Sequence, residues 1–514
     1  MQKACLISYS YAHIYLSGND AELSAFWQAA KHLHADSFSA ENVIQLTADV
    51  FILGKKRNGS TLFVRADYVG LEKEILKQFA LRPSAPAIGV IGKPGIGKTF
   101  FSYYLLMKAA REGKAVVYES REFEGDQPQW CIFSGDIACE VPVNHRYGKE
   151  LLGEDNTLYL VDSRAPKLVD APTVLVTSPR LEVYDDFCRK RSSNGEPLYM
   201  PMWSWEELLK LREKCFPLAD VEKMKAVYAR WGGIAREVLY YTKQNIDRKG
   251  KTNDPLSAAI TWAAIDKIIT AKCFGAEGRA VSHRLFHAVS SSCTYQLEGY
   301  EVASDYVNEE LMKHLADVNE RKLKDFAAFS GGEPILGALR GHAFEYLAHK
   351  QLQAGGTFDI KQLGAGKSVI SALVLPKSTL MKLDRSPTAS DANGSDRYLK
   401  PTSRNFAAVD SVLCTTAAGS APRAFLFQMH SGEAAHPVKH KPLSDLMSSL
   451  GGVEVVGLVF VVPKDRFAAY VHQNYVDERK HVVDRPSAPV KSLKQFALCC
   501  DVGNGVRGVK RKNT

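Results

Sequence analysis

Residues 20–34 read DAELSAFWQAAKHLH, with apolar positions returning every three or four residues behind an aspartate, which predicts an amphipathic helix. The stretch TLFVRADYVGLEKEILKQF opens as a short β-like run and passes into a second amphipathic helix. LRPSAPA then punctuates the chain. From there to about residue 245, short β-branched runs alternate with loops and helices: IGVIG, KAVVYES, CIFSG, TLYLVD and TVLVTS. This alternation predicts an α/β layer architecture around a largely parallel sheet. Helical text dominates 205–330, including SWEELLKLREK and VEKMKAVYARWGG, and a new α/β unit opens near ILGALRGHAFEYLAHKQLQAGG. That unit closes on an expected buried strand, VEVVGLVFVVP, and an expected helix, KDRFAAYVHQNYV. Inside it, residues 382–405, KLDRSPTASDANGSDRYLKPTSRN, are rich in Ser, Asp, Pro and Gly and predict a mobile loop.

These patterns divide the 514 residues into an N-terminal region (1–80), an α/β core (81–245), a helical lid or linker (246–330), a second α/β domain (331–500) and a basic tail (501–514). Composition changes this little. The net charge of +9 and the pI near 8.8 permit a polyanionic partner without requiring one. Ten cysteines without repeated spacing predict reduced, buried thiols rather than a disulfide framework. No apolar run reaches the roughly 18 residues of a membrane span. The opening MQKACLISYSYAHIYLSGND is too polar to predict a conventional cleaved signal. The closing RGVKRKNT reads as a nuclear address, a phosphate-contacting arm or a solvated terminus.

The sharpest chemistry is GKPGIGKT, which fits G-x-x-x-x-G-K-[ST] at Gly92, Gly97, Lys98 and Thr99, between a β-like run and a helix. Gly92, Gly95 and Gly97 let the backbone turn successive N–H groups toward phosphate oxygens. Lys98 would reach the terminal phosphates of ATP, and Thr99 would meet Mg²⁺. Asp162, ending TLYLVD, supplies the second carboxylate of that cation site, or on the plainer reading opens a turn. Ser163 follows where many such enzymes place a glutamate, so Glu119 and Glu122 become candidate bases. Thr177 or Ser178 could sense the γ phosphate, with Arg180 neutralising it. Arg236, in WGGIAREVL, is either an arginine aimed at the phosphates or a salt bridge of the helical lid.

A second chemistry is expected in the C-terminal third. Glu345 lies in a helix, Asp410 in NFAAVDSVL, and Gln428 with His430 ends AFLFQMHSG. A helix Glu, a strand Asp and a polar pair at i and i+2 is the layout of metal-dependent restriction-type nucleases. Asp410 and the Gln428 carbonyl would bind Mg²⁺. Such nucleases usually carry lysine where His430 stands, so a working nuclease and a nucleic-acid-binding relic both remain open. His430, His436 and His440 also fall in one short span, but the spacing matches no zinc pattern. Arg340, His342, Lys439 and the tail lysines are further phosphate-contact candidates, though each alone reads first as a solvated surface group.

Taken in order, TLFVRADY, GKPGIGKTFFSYYLL, LYLVDSRAP, TVLVTSPR, YMPMWSWEEL and WGGIAREVL resemble the ATPase module of Crinkler effectors, shared with the retrotransposon hot spot proteins of trypanosomatids. RGHAFEYLAHKQLQAGGTF, NFAAVD, FLFQMH and HPVKH resemble the nuclease-fold domain that follows it. The resemblance covers residues 60–480. It implies a P-loop NTPase with a helical lid, followed by a restriction-endonuclease-like α/β domain. Lys98, Thr99 and Asp162 would then be the nucleotide and metal residues, and Glu345, Asp410 and Gln428 the nuclease-fold residues. It also implies secreted effectors of oomycetes and some chytrid fungi that enter host cells, reach the nucleus and promote cell death, some by acting on DNA. Expected partners are therefore DNA and host nuclear proteins, with no membrane, and with an oligomer if Arg180 or Arg236 acts across subunits. The family's ubiquitin-like header has no clear copy here. Two rival readings are an inactive DNA- or protein-binding effector and an endogenous, mobile-element-related chromatin ATPase.

Overall fold

In the computed structural model the chain forms two units, residues 1–255 with 282–304 and residues 256–281 with 305–514. The described residues are 20–81, 86–121, 129–179, 187, 196–244, 255–263, 284–328, 337–364, 369–392, 396–402, 408–416, 422–432, 436–483 and 485–502.

The β-branched runs of the first unit become β1 (Ala87–Ile91), β2 (Ala115–Ser120), β3 (Gln129–Ser134), β4 (Ile137–Pro142), β5 (Thr157–Asp162), β6 (Thr173–Thr177) and β7 (Leu198–Tyr199). They make one sheet in the order β4-β3-β2-β5-β6-β1-β7. The strands from β2 to β7 in that order run parallel, while β3 and β4 form an antiparallel hairpin at one edge. Every residue of β1 and β6 is buried, as expected of a sheet covered on both faces. The helix α1 (Ala21–Lys31) is capped by Asp20 and packs its Trp27 on the Phe133 ring, with Trp27 Nε1 donating to the Gly135 carbonyl at 3.0 Å. It is followed by α2 (Ala66–Leu81) and α3 (Lys98–Arg111), the latter lying on β2, β5 and β6. Then come α4 (Trp205–Cys215), α5 (Val221–Trp231) and α6 (Ala235–Gln244). Helical text does not run unbroken to 330. Phe286–Ser290 and Leu297–Val302 form an antiparallel hairpin around the turn-forming SSCT stretch.

The second unit opens with α7 (Asp305–Ala328) and α8 (Gly337–Ala354). Its sheet contains β8 (Gly356–Leu363), β9 (Ile370–Leu375), β10 (Thr379–Leu383), β11 (Arg397–Pro401), β12 (Ser411–Thr415), β13 (Arg423–Met429), β14 (Glu454–Pro463) and β15 (Gln495–Cys500), in the order β9-β8-β15-β14-β13-β12-β11-β10. The helix α9 (His440–Ser449) joins β13 to the parallel β14 and buries Leu443 and Leu446 against Val412, Leu426 and Phe460. On the opposite face, His349 of α8 meets Tyr398.

Two expectations are corrected here. Residues 382–405 do not form one mobile loop: β11 lies within them and pairs in parallel with β10, which ends at Leu383, and Tyr398 and Leu399 are fully buried. The intervening polar text serves a short 3₁₀ turn, where Asp391 accepts from Arg385 at 2.7 and 2.8 Å and from the Thr388 amide at 2.8 Å. The expected helix KDRFAAYVHQNYV is helical only over Lys464–Phe467. The side-chain amide of Gln495 then accepts from the Gln473 N–H and donates to the Gln473 carbonyl, each at 2.9 Å, ahead of a short strand, Tyr475–Val476. Among the described residues, seven cysteines are unpaired thiols, four of them buried, and no helix is long and apolar enough to cross a membrane.

Candidate functional site

The first candidate site sits where β1, β6 and β5 end. Register places Ile91 beside Thr177 and Asp162 beside Val176, so the glycine-rich loop after β1 and the carboxylate after β5 meet at one edge of the sheet. Gly95 and Gly97 have φ of +86° and +101°, a region L side chains rarely adopt. A Cβ on Gly95 would also lie 3.0 Å from Arg236 Cβ and Ile234 Cγ2. Four of the loop's carbonyls are fixed on donors. Gly95 O accepts from the Arg236 amide at 3.0 Å, Ile96 O from Trp203 Nε1 at 2.8 Å, Gly97 O from the Tyr68 hydroxyl at 2.7 Å, and Lys93 O from Lys98 Nζ at 2.7 Å. Fixing successive carbonyls on donors of their own leaves the loop's N–H groups to serve as an anion cradle.

Thr99 donates to Asp162 Oδ2 at 2.6 Å, and Ser163 donates to Asp162 Oδ1 at 2.8 Å. Burial raises the Asp162 carboxyl above its ordinary range, against the two hydroxyl donors and Lys98. Burial brings Lys98 down to about 7, with Asp162 opposing the shift and Arg236 adding to it. Arg236 is thus electrostatically coupled to Lys98, although its guanidinium is largely exposed and lies 3.4 Å from Glu237. Lys93 Nζ and Thr177 Oγ1 are buried without a hydrogen-bond partner among the described residues. Glu119 does not serve as a free base. It is buried and accepts from Trp130 Nε1 at 2.8 Å and the Tyr159 hydroxyl at 2.6 Å. Arg180 and Glu122 lie outside the described residues.

Sequence reasoning missed what supports this loop. Arg65 is fully buried, with its guanidinium 4.3 Å from the Trp203 ring centroid. It donates to Asp67 at 2.7 Å, Glu207 at 3.3 Å and the carbonyls of Pro201 and Met202 at 3.1 and 3.3 Å. One side chain therefore ties the segment carrying Tyr68 to the segment carrying Trp203. An arginine set directly after the apolar run LFV was the available signal.

In the second unit, Glu345 and Asp410 line a cavity of about 480 Å³ together with Asp305, Asn308, His342 and Lys400. Glu345 lies 3.9 Å from His342 Nδ1 and 3.7 Å from His349 Nε2. Burial would raise its carboxyl, but the two imidazoles outweigh this and hold it below the ordinary range. His349 Nδ1 is 2.7 Å from the Tyr398 hydroxyl, which accepts from Ser411 at 2.7 Å. With Tyr398 donating onward, the proton of His349 falls on Nε2, facing Glu345. Asp410 accepts from the Met429 amide at 2.6 Å. Burial and the Glu345 charge raise its carboxyl to about 7, with the amide and Lys400 opposing. Asn308 Oδ1 is buried with no partner among the described residues. Lys400, missed within the presumed loop, belongs to this group.

Gln428 and His430 are placed with other residues. His430 Nδ1 is 2.9 Å from the Tyr470 hydroxyl, and its ring lies 4.8 Å from that of His436, which Gln428 contacts at 2.9 Å. Burial first, then His436 and Arg466, lower His430 to about 4, so it is uncharged at neutral pH. It lines a separate cavity with Arg466, Tyr470 and His472. His440 instead accepts from the Ser487 amide at 2.9 Å. Among the described residues, no group of three or more His, Cys, Asp or Glu is disposed to hold a metal ion.

No protein-family model matches the chain. It is 24% identical over 411 residues to Crinkler effector protein 15 of Phytophthora infestans, covering 75% of this chain and 60% of that protein. Crinkler effector protein 16 of the same organism is 23% identical over 408 residues, with the same coverage. The chain is distantly homologous to Crinkler-family effectors and spans about 60% of the length of these curated relatives. Among solved structures it is similar to the Thermotoga maritima RuvB Holliday junction branch migration motor, at 12% identity and a TM-score of 0.23 over 49% of this chain and 76% of that one. A point mutant of the same RuvB gives 12% identity and a TM-score of 0.24, over 57% of this chain and 84% of that one. Scores of this size carry no functional inference.

Proposed function

We propose that the chain is a secreted, Crinkler-like effector that acts in the host nucleus. Its first unit binds ATP with Mg²⁺, and that binding gates DNA binding and cleavage by its second unit, promoting host cell death. The observation that carries the nucleotide reading is the Lys98–Thr99–Asp162 arrangement at the carboxyl ends of parallel strands, beside a loop whose carbonyls are fixed on donors of their own. The donors fit the ligands. Thr99 Oγ1 and the Asp162 carboxylate are hard oxygens of the kind Mg²⁺ takes, and Gly95 lets the loop pack closely on Arg236 and Ile234, where a Cβ would crowd both. With a nucleotide bound, Lys98 would leave the Lys93 carbonyl for the terminal phosphates, and the incoming negative charge would restore its proton. Bound Mg²⁺ would neutralise phosphate charge. Ser163 stands where a glutamate would orient water, and Glu119 is occupied by Trp130 and Tyr159, so the nucleotide acts as a switch with slow turnover.

The test is titration of a fluorescent ATP analogue with Mg²⁺ into the wild type and Lys98→Ala. A loss of affinity of about 100-fold or more is expected. Equal affinity in the two proteins would remove the nucleotide reading. The second reading is a DNA- or protein-binding effector without cleavage. The uncharged, Tyr470-bound His430 favours it, since the position expected to stabilise phosphate charge carries none.

A further inference from the structure

We propose that Lys400, on β11, is the catalytic cation of the second site, filling the role that the sequence pattern assigned to the position of His430. The inference rests on reading the Glu345–Asp410 cavity as a phosphodiester-cleaving site. Such a step needs positive charge near the non-bridging oxygens, where negative charge grows as water attacks. His430 faces a different cavity and is held by Tyr470. Lys400 lines the cavity that Glu345 and Asp410 share. Its strand pairs with β12 at Leu399 and Val412, which brings Lys400 to the end of β12 that Asp410 immediately precedes.

The other lysine lining this cavity, Lys382, is hydrogen-bonded to the Glu309 carboxylate. Lys400 has no hydrogen-bond or ion-pair partner among the described residues. Both carboxylates act on it electrostatically, while burial lowers its pKa. It is thus a desolvated cation without a fixed partner, next to two acids that suit a divalent cation. In the step, a water oxygen bonds to phosphorus and the bond from phosphorus to one sugar oxygen breaks, its electron pair leaving on that oxygen. The water releases a proton to solvent and the sugar oxygen takes one up, giving a phosphomonoester and a hydroxyl. Lys400 stays protonated throughout and balances charge on the non-bridging oxygens.

The experiment uses the full chain with supercoiled plasmid and Mg²⁺, with and without ATP. Wild type, Asp410→Ala, Lys400→Met, Lys400→Arg and the exposed-surface control Lys377→Met run side by side. Methionine retains most of the lysine stem, and matching circular dichroism establishes that the variant is folded. A second readout is the salt dependence of binding to a labelled duplex in Ca²⁺. We expect Lys400→Met to nick about 100-fold more slowly, with Lys400→Arg recovering part of the rate. We also expect its salt slope to fall by about one, against no change in Lys377→Met. Wild-type nicking that Asp410→Ala abolishes and Lys400→Met leaves intact, with an unchanged salt slope, would refute the lysine's role and leave the nuclease reading standing. Duplex binding without nicking would end the cleavage role, and the slope would then decide whether Lys400 contacts phosphate. Neither nicking nor duplex binding in the wild type would overturn both the reading and the proposal.

Discussion

The two candidate sites are built in opposite ways. In the first unit the functional element is main chain, and side chains from distant segments hold it from outside: Tyr68, Trp203 and, behind both, Arg65. In the second unit the functional groups are side chains that hold one another, in a line from Ser411 through Tyr398 and His349 to Glu345. A site of main-chain N–H groups tolerates many side chains but demands glycines at set intervals. A relay of side chains demands particular residues but imposes no interval. The first leaves a motif in the sequence; the second leaves scattered residues.

The contrast is broken most severely by removing the outside support. Arg65→Ala would leave Asp67 and Glu207 without their shared cation and the Pro201 and Met202 carbonyls without their donor. Breaking a buried pair by deleting one partner costs about 3–5 kcal/mol. The expected result is a marked drop in the melting temperature and weaker nucleotide binding, though Arg65 donates no hydrogen bond to the loop itself. An Arg65→Ala protein that melts and binds as the wild type does would show that the loop holds its own shape.

The same contrast explains what could be read from the chain. Strands buried on both faces announced themselves as β-branched runs, and the loop announced itself by its glycines. Asp162 was legible because it ends such a run. Tyr68 and Trp203 were visible only as members of segments that resemble the Crinkler ATPase module, since nothing in their spacing assigns them a carbonyl to hold. Lys400 was hidden because the polar text around it describes a turn, and the fully buried pair Tyr398 and Leu399 was outweighed by it. Gln428 and His430 were paired by strand alternation and joined to Asp410 by the nuclease layout, but His430 was drawn to Tyr470 and His436, contacts that no periodicity encodes.

A smaller effect sharpens the comparison through pH, measured without nucleotide and in EDTA. Asp410 has its ordinary value of 3.8 raised to about 7. Between those values the folded chain keeps a proton that the unfolded chain releases, so stability falls as pH rises through the window. Lys98 has its ordinary value of 10.5 lowered to about 7. Between those values the folded chain lacks a proton that the unfolded chain keeps, so stability rises with pH. At about 1.4 kcal/mol per unit each window is worth on the order of 4 kcal/mol. Calorimetry should find that Asp410→Asn removes the slope from about pH 4 to 7 and Lys98→Met the slope from about pH 7 to 10. Wild-type-minus-variant slopes of the same sign in the two windows would contradict the burial of one charge or the other, since subtracting the variant removes the opposing contribution of His430 below pH 6.5.

The finest test removes one hydroxyl from each site. Tyr68→Phe deletes the donor to the Gly97 carbonyl, and Tyr398→Phe deletes the link between His349 and Ser411. Each change should lower stability by about 1 kcal/mol, the usual net value of a hydrogen bond, plus the cost of any group left unpaired. Beyond that the two should diverge. Gly97 keeps its place because Gly95 and Ile96 are still held on the N-terminal side, so nucleotide affinity should change only a few-fold. His349 loses the partner that assigns its proton to Nε2, so its ring nitrogens should shift toward a mixture of tautomers by ¹⁵N resonance. If the Tyr68 change instead abolished nucleotide binding and the Tyr398 change left the tautomer fixed, the side chains would govern the first site and the backbone the second, the reverse of the arrangement argued from their hydrogen bonds.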